Sequence, residues 1–396
     1  MAAGVKVALL TGGFDKSYAL GLTLALAAKG VRVDVVGSDD VDDPVMHTTP
    51  HVNFLNLRGS KEETGPISKA SRVLVYYARL FRYAAIAEAK IFHILWNDKF
   101  EFFDRAVLML YYRLLGKKIV RTVHNVNAGK RDANDSLLNR ITLRVQYRLS
   151  HHVFVHTAKM KQELLRDFGV QEKTATVVPF GINNSVPNTA LTPAAAKRQL
   201  GIKDSEKTIL FFGAIRPYKG LEYLVDAFQQ LAANQSEYRL IIAGQPLKET
   251  KKYLDEIQRT LDRQFSPGRV IEKIQYIPDE ETELYFKAAD VVALPYTHVF
   301  QSGVLFLAHS FGLPVVASDV GSLKEDIIEG WNGFLCAPCD SADLSRALRS
   351  YFESDLFQNL DSRRADIREH ANARHSWGTV SEMTRNVYAE LAGRTS

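Results

Sequence analysis

The sequence has little cysteine and lacks any long apolar run, repeat or low-complexity tract. Its two cysteines, Cys336 and Cys339 in "LCAPCD", are the only ones among 396 residues. A structural zinc site needs two further ligands, and the chain offers no second Cys-x-x-Cys pair. We therefore interpret this pair as the end of a strand and a turn. No apolar run reaches the roughly 18 residues that a membrane-spanning helix needs, so a transmembrane fold is disfavoured.

Two common nucleotide-binding fingerprints are also missing. The sequence contains neither G-x-G-x-x-G, which is typical of dinucleotide folds, nor the phosphate-loop pattern G-x-x-x-x-G-K-[ST]. The start, "MAAGVKVALLTGG", has no basic segment before its apolar run and turns at once into Gly-Gly. We predict a buried first strand there instead of a signal peptide, and hence a cytoplasmic protein, with the inner face of the cell membrane as an additional location.

Positive charge is concentrated in the first half of the chain. Residues 1–185 have 26 Lys and Arg against 17 Asp and Glu, whereas the remainder has 24 against 28. Most of the excess lies within 58–148, with 18 basic and 8 acidic residues. A basic half of this kind suits nucleic acid, an anionic membrane surface or an anionic ligand.

The order of patterns predicts an α/β fold with two Rossmann-like domains. Short apolar runs alternate with helical periodicity, as expected for parallel sheets covered on both faces. A segment rich in proline and small polar residues interrupts this rhythm and predicts a boundary. We expect a first domain at 1–183, a linker at 184–205, a second domain at 206–378, and a C-terminal helix at 379–396 that crosses back to the first domain. Ligands of such folds bind where strands lead into helices, so we expect the site in a deep cleft between the domains.

Three loops after predicted strands have residues suited to an anion. "RPYKG" places Arg216 and Lys219 at the start of a helix, where the backbone already attracts negative charge. "QSG" places Ser302 and Gly303 at a second helix start, and "TGG" places Gly13 after the first strand. A diphosphate would match these groups. Taken one at a time, each loop also fits a solvated turn or an ordinary helix cap.

Several stretches, in order, resemble glycosyltransferases of the GT-B fold, in particular family 4 (group 1). They are "VVPFGIN", "GAIRPYKG", "YIPDEETELYFKAADVVALPY" and "FGLPVVASDVGSLKEDIIEGWNGFLCAPCD". The resemblance covers most of the chain and is densest from about 205 to 340. It implies a hexosyltransferase that uses a UDP- or GDP-linked sugar as co-substrate, with no metal and no other cofactor.

The resemblance also implies site residues. His124, in "TVHNV", would lie beside the transferred sugar and act in catalysis with Arg216 and Lys219. Tyr276 and Ile277 would contact the nucleotide base. The donor diphosphate would be bound by Gly13, Arg216, Lys219, Ser302, Gly303 and Val304.

One departure from the family pattern concerns ribose recognition. The family usually has two glutamates separated by seven residues before the helix that starts near Gly303. Val299 and Leu307 occupy those positions here. Gln301 and Ser302 are the nearest polar substitutes.

The stereochemistry of transfer stays open at the level of sequence. Retention of the anomeric configuration is typical of the group and would need no protein base, since the leaving phosphate helps to deprotonate the acceptor. Inversion would need a base, and Asp15, Asp98 and Asp132 are the carboxylates near loop positions of the first domain.

The acceptor is expected on the basic first domain. Residues 72–118 interleave arginines with aromatic and apolar residues, a pattern that fits an anionic membrane surface and a lipid-linked or glycan acceptor. Ordinary amphipathic helices with solvated arginines fit equally well. No nucleic-acid recognition motif is present, and His152 and His156 lack a metal-ligand companion, so we expect both histidines to have packing roles.

We predict glycosyl transfer from a nucleotide sugar to a hydroxyl of a glycan, glycolipid or small molecule, in synthesis of cell-surface polysaccharide or glycoconjugate. Two alternatives use the same fold. A nucleotide-sugar epimerase would act without an acceptor, and a non-catalytic sugar-nucleotide-binding subunit would bind the donor without turnover.

Overall fold

The computed structural model describes residues 4–393 except 14, 60–65, 132–134, 183–185, 234 and 248–249, and for 66–70 and 131 it describes the backbone only. The chain divides into two compact units. Unit 1 consists of Met1–Gly181 and His375–Ser396, and unit 2 of Ile182–Arg374.

Unit 1 is built on a parallel sheet, which in the described residues has seven strands in the order β3-β2-β1-β4-β5-β6-β7. The strands are β1 (Lys6–Leu10), β2 (Arg32–Gly37), β3 (Val52–Asn56), β4 (Ile91–Ile94), β5 (Lys118–Val123), β6 (His152–Val155) and β7 (Ala175–Val177). Most central strands are apolar on both faces, because helices cover both.

The helices of unit 1 pack around this sheet. They are α1 (Lys16–Ala28), α2 (Pro44–Thr48), α3 (Pro66–Ile86), α4 (Glu101–Phe103), a π-helical turn (Asp104–Leu108), α5 (Met109–Leu114), α6 (Ala128–Arg131), α7 (Leu137–Leu149), α8 (Ala158–Phe168) and, at the end of the chain, α17 (Trp377–Gly393).

The last helix belongs to unit 1, as the sequence predicts. Helix α17 packs on α1, and Trp377 lies so close to Gly21 that an added Cβ would be 2.2 Å from its Cε2 atom. Deeper in the core, the Tyr388 hydroxyl and His93 Nδ1 are 2.5 Å apart. A small residue in α1 therefore allows the indole to dock and close the core of unit 1.

Unit 2 is built on a second parallel sheet, with six strands within the described residues, in the order β10-β9-β8-β11-β12-β13. The strands are β8 (Lys207–Phe212), β9 (Tyr238–Ala243), β10 (Val270–Lys273), β11 (Val291–Leu294), β12 (Val315–Ser318) and β13 (Gly333–Cys336). The helices around it are α9 (Pro193–Gln199), α10 (Leu221–Ala232), α11 (Lys251–Gln264), α12 (Asp279–Ala288), α13 (Gly303–Ser310), α14 (Ser341–Glu353), α15 (Asp355–Gln358) and α16 (Leu360–Arg374). The predicted pair of Rossmann-like α/β domains is confirmed.

The segment 184–205, which composition assigns to a linker, contains helix α9 and lies in unit 2. Thr192 caps this helix by accepting a hydrogen bond from the Ala195 amide, and Pro193 occupies its first turn. The Lys197 ammonium is 2.8 Å from Asp290 Oδ2. This part of the segment is therefore ordered structure attached to the second sheet.

Both sheets have a switch point, where the strand order reverses and the helices on either side diverge. It lies between β1 and β4 in unit 1 and between β8 and β11 in unit 2. Ligands of doubly wound folds bind outside the carboxyl ends of such strand pairs. The loops after these four strands are therefore the expected positions of a ligand-binding site.

Candidate functional site

The loops after β8 and β11 are tied together in unit 2. Gly220 ends the 3-10 turn Pro217–Lys219 with φ of 64°, and a Cβ added there would be 2.0 Å from the Pro295 carbonyl oxygen. The Thr297 amide donates to the Tyr218 carbonyl at 2.8 Å. Only glycine permits this approach, which fixes the turn over the end of β11.

Lys219 is a buried cation at this turn, with 8% of its surface exposed. Its Nζ atom donates to the Phe212 carbonyl at 3.4 Å and lies 5.8 Å from the centre of the Tyr296 ring. No carboxylate oxygen in the described part of the chain lies within 4.0 Å of it. Burial, and then the nearby Arg216 guanidinium, lower the pKa of Lys219 to about 8. The described residues around Lys219 therefore leave its positive charge without a negative partner.

The first turn of α13 provides backbone donors for such an anion. Ser302 stands at the N-cap position, yet its hydroxyl makes no capping bond and pairs with the Tyr296 hydroxyl at 3.2 Å. Gly303 is exposed, and an added Cβ there would meet no atom within 4 Å. The helix therefore starts uncapped in open space, where its positive end can accept an anion.

Gly213 lies between Lys219 and the first turn of α13. A Cβ added to it would be 2.9 Å from Lys219 Nζ and 3.7 Å from Val304 Cγ2. The predicted residues Lys219, Ser302, Gly303 and Val304 are thus brought together around the ends of β8 and β11. Arg216 lies three residues before Lys219, and its positive charge helps to lower the pKa of Lys219.

Neither position of the usual glutamate pair provides a polar group. Leu307 is buried within α13, and the Val299 carbonyl packs against Gly321, where an added Cβ would be 1.7 Å away. Gln301 has a buried side-chain oxygen with no hydrogen-bond partner in the described residues. A ligand hydroxyl would satisfy it, and its role in ribose binding stays a prediction.

Tyr276 and Ile277 lie in the loop between β10 and α12. β10 is an edge strand of the sheet, separated from β8 by β9. Tyr276 is 64% exposed and Ile277 is buried. An exposed aromatic ring is free to stack on a base, and this assignment stays a prediction.

His124 follows β5 in unit 1 and lies in a cluster of rings. Its ring stacks on Trp96 with centroids 4.2 Å apart and an angle of 3°, and the edge of Tyr18 meets it at 4.7 Å. Its Nδ1 atom is 3.1 Å from Nε2 of His156. Its Nε2 atom is buried and has no partner in the described residues.

The protonation of this pair follows from its partners. Burial lowers the pKa of His156 to about 4 and that of His124 well below its usual value, with His156 adding to the effect, so both rings are neutral. His156 Nδ1 faces the Val178 carbonyl at 3.3 Å. A carbonyl only accepts, so Nδ1 of His156 donates and its Nε2 accepts from Nδ1 of His124. His124 therefore presents an unpaired acceptor at Nε2, ready for a ligand hydroxyl.

His156 is buried and packs on Phe180, in agreement with the packing role expected from the sequence, and it has a further role. The ring orients His124 and fixes its tautomer, which is the usual second-partner role of a hydrogen-bonded histidine. Nothing in the sequence pairs it with a residue 32 positions away.

Gly13 lies in a left-handed turn after β1, with φ of 74°. Its amide donates to the Thr11 hydroxyl at 3.2 Å, and Arg58 lies over it, since an added Cβ would be 2.6 Å from the Arg58 Nη1 atom. Its predicted phosphate contact stays a prediction. Arg58 is a cation at this turn that sequence reasoning missed.

The carboxylates named as bases for inversion differ in their surroundings. Asp98 accepts from Arg58 Nη2 at 2.7 Å, and burial raises its pKa in spite of that cation. Asp15 caps α1 by accepting from the Tyr18 amide at 3.0 Å. Asp132 lies outside the described residues.

Comparison with known protein families shows which family this chain belongs to. The family described as "Glycosyl transferases group 1" matches residues 194–374, and "Glycosyltransferase Family 4" matches residues 16–186. The chain belongs to the group 1 glycosyltransferases. It is an enzyme that depends on a nucleotide sugar, and the family resemblance seen in the sequence is confirmed.

Relatives of this glycosyltransferase have several activities. It is 26% identical to D-inositol 3-phosphate glycosyltransferase of Corynebacterium aurimucosum over 94% of this chain and 90% of the relative. It is 28% identical to glycogen synthase of Mycobacterium tuberculosis over 68% of this chain and 62% of the relative.

Solved structures confirm the GT-B fold of the glycosyltransferase. Sucrose-phosphate synthase of Thermosynechococcus elongatus aligns with a TM-score of 0.78 at 21% identity, over 98% of this chain and all of the other. HepE of Anabaena in complex with UDP aligns with a TM-score of 0.75 at 17% identity, over 97% of this chain and all of the other. A search of the described helices for one able to cross a bilayer found none.

Proposed function

We propose that this glycosyltransferase moves a hexose from a nucleotide-diphosphate sugar to an acceptor hydroxyl, with retention of configuration and without a metal. UDP is the favoured nucleotide, because a structural neighbour was solved with UDP and also with UDP-glucose. GDP is the alternative.

The observation that carries the proposal is the incomplete charge balance around Lys219. The Lys219 ammonium is buried and has no carboxylate oxygen within 4.0 Å among the described residues; it lies beside an uncapped helix start, and Arg216 adds a second cation. A departing diphosphate supplies the missing negative charge, and preorganised donors stabilise that charge most as it develops. The same cations perform the role that a divalent ion has in metal-dependent transferases, so the reaction needs no metal.

His124 is proposed to bind a hydroxyl of the transferred sugar. Its bare Nε2 atom accepts a hydrogen bond, and the neutral ring adds no charge that would repel an oxocarbenium-like centre. Trp96 and His156 hold the ring in place.

Retention is favoured by the state of Asp98 and Asp15, the two candidate carboxylates that lie within the described residues. Asp98 is held by Arg58 in an ion pair, and Asp15 is engaged as a helix cap. To act as the base for inversion, either carboxylate would have to accept a proton, which weakens these contacts. In the front-face route the leaving phosphate accepts the acceptor's proton, which leaves both carboxylates in their structural roles.

The acceptor is proposed to reach the enzyme at the inner face of the cell membrane. Exposed apolar side chains on α4, the π-helical turn and α5 are interspersed with Arg113, and more follow on α7 beside Arg140 and Arg144. The apolar members are Phe102, Val107, Leu110, Leu114, Leu137, Leu138 and Ile141. Apolar and basic groups of this kind suit a bilayer with anionic lipids.

The decisive experiment incubates the enzyme with UDP- and GDP-linked hexoses, with and without candidate glycan and lipid-linked acceptors, and follows the sugar by NMR. The proposal predicts a glycoside with the donor's anomeric configuration and free nucleoside diphosphate. A new nucleotide sugar formed from donor alone would indicate an epimerase. Donor binding without turnover under all acceptors would indicate a non-catalytic subunit.

Membrane contact is tested separately by flotation with phosphatidylglycerol-containing vesicles at low salt. The enzyme should float, and Leu110→Glu with Leu114→Glu should remain at the bottom. The matched control is Ile328→Glu, which changes an exposed apolar residue of unit 2. Equal flotation of all variants, or none by the enzyme itself, contradicts the membrane proposal.

A further inference from the structure

A cavity of about 350 Å³ opens in unit 1 beside His124. It lies at the carboxyl ends of β4 and β5, against α7 and the π-helical turn. Its polar lining includes Asn97, Arg105, Arg121, Asn125 and Gln146. The cavity is large enough for a small polar molecule, and none of the roles assigned above uses these side chains.

Arg121 is the unusual member of this lining. It is 6% exposed, and its Nε and Nη1 atoms are buried without a hydrogen-bond partner in the described residues. Burying a cation without hydrogen-bond partners costs free energy that side-chain packing does not compensate. Burial lowers the pKa of Arg121 to about 10, so the guanidinium stays charged at neutral pH.

The carboxylates around the cavity already have cations of their own. Asp98 accepts from Arg58 at 2.7 Å, and Glu101 is 2.5 Å from Arg105 Nη2. In addition, the Nε atom of Arg105 is buried without a partner in the described residues. Two guanidinium groups with unpaired N–H donors therefore line one cavity, and its own acids do not balance the charge of Arg121.

Asp104 is a further acid near Arg121 in the described part of the chain, and it does not change this balance. Burial raises the pKa of Asp104 to about 7, with Asp98 adding to the shift. One oxygen of Asp104 accepts from the Tyr77 hydroxyl at 2.8 Å, and the other is buried without a partner in the described chain. Near neutral pH this acid is only partly ionised.

We propose that this cavity binds an anionic group, a phosphate or carboxylate, on the acceptor, with Arg121 as its main ligand and Arg105 as its second. A guanidinium matches the two oxygens of such a group with parallel N–H donors. Asn97 and Gln146 line the same cavity and pair with each other, Asn97 Nδ2 donating to Gln146 Oε1 at 3.3 Å. The inference rests on the proposed function, because the cavity shares His124 with the predicted sugar position.

The test measures binding by isothermal titration of the enzyme presaturated with UDP, so that the diphosphate site is filled. The probes are glucose 6-phosphate, glucuronate and neutral glucose. The anionic probes should bind, glucose should bind at least roughly tenfold more weakly, and Arg121→Gln should abolish the difference because it removes a charge-assisted pair. Arg32→Gln, at an exposed arginine at the start of β2, is the matched control and should behave like the unchanged enzyme.

A second titration, with lipid vesicles, distinguishes a lipid headgroup from a soluble acceptor as the source of the anionic group. Phosphatidylcholine vesicles with and without phosphatidylinositol are titrated with the same variants. Loss of phosphatidylinositol binding in Arg121→Gln assigns the site to a lipid headgroup, and loss of sugar-phosphate binding alone assigns it to a soluble acceptor. If Arg121→Gln instead lowers the preference for UDP-glucuronate over UDP-glucose, the site recognises the donor and the inference is overturned.

Stability separates a ligand-binding arginine from a structural one. Arg121→Met should melt at the same or a higher temperature than the unchanged enzyme, since it removes an unpaired buried charge. Lower melting together with unchanged probe affinity would overturn the inference. Failure of both UDP and GDP to bind would overturn the proposed function, while the response of glucose 6-phosphate to Arg121→Gln would still be readable.

Discussion

The substitution Lys219→Met should stabilise the free enzyme while removing donor binding. Lys219 is buried with a pKa near 8, against an ordinary value near 10.4 in an unfolded chain. Keeping its charge in the folded state therefore costs on the order of 3 kcal/mol at neutral pH. Methionine has a similar shape without that cost, so the variant should unfold at a higher denaturant concentration at pH 7.

The pH dependence has a definite sign. Because the folded pKa is the lower one, the penalty is fully present below about pH 8 and disappears as the pH rises towards the unfolded value. The gain in unfolding free energy of Lys219→Met should therefore be largest at pH 7 and shrink by pH 10. Urea unfolding at both pH values measures it, with Lys252→Met, at an exposed lysine on α11, as the matched control.

Although Lys219→Met should stabilise the free enzyme, it should weaken binding of the nucleoside diphosphate. A nucleoside diphosphate at a hundred times its dissociation constant stabilises the enzyme by about 2.7 kcal/mol, and Lys219→Met should lose most of this. In the unchanged enzyme, affinity should fall above about pH 8 as Lys219 loses its proton, whereas Lys219→Arg should flatten that profile. A variant that is less stable at pH 7 yet binds the diphosphate normally would refute this account of the site.

Three further predictions concern other parts of the enzyme. His124→Phe should lower kcat/KM by roughly tenfold or more through loss of one acceptor while leaving UDP affinity unchanged in titration; lost UDP binding would contradict its role. Gly220→Ala should lower the free energy of unfolding by about 1–3 kcal/mol, because the added Cβ meets the Pro295 carbonyl oxygen. Gly268→Ala changes a glycine that also has positive φ but lies in open space, so it should lose less stability. Equal losses would mean that the contact with Pro295 is unimportant. Turnover should be unaffected by EDTA, and activity restored only by a divalent ion would contradict a metal-free mechanism.

The fold could be predicted from the sequence because each element has a local cause. Apolar runs such as "TILFFGA" form buried parallel strands, and the amphipathic stretch after "RPYKG" forms α10. Composition alone hid α9, although Thr192 and Pro193 are a recognisable helix start. Periodicity and capping are short-range signals, so single elements are readable from one chain.

The site could be predicted only in part, because its electrostatics depend on contacts far apart in sequence. Arg216 and Lys219 stand out as two cations in one loop, but only the structure shows that no described carboxylate lies beside Lys219. Ser302 is a natural cap by sequence, yet its hydroxyl turns to Tyr296. The tautomer of His124 follows from His156 and a backbone carbonyl, and no local pattern gives that information.

Nucleotide titration of the enzyme and of Arg216→Ala tests the central claim most directly. With Lys252→Ala as the matched control, UDP should bind the enzyme and the control at least roughly tenfold more tightly than UMP, because the second phosphate meets the two cations and the helix start. In Arg216→Ala that advantage should largely disappear. If UDP and UMP bind the unchanged enzyme equally, or if Arg216→Ala keeps the full advantage, the diphosphate is bound elsewhere and the account of the site is wrong.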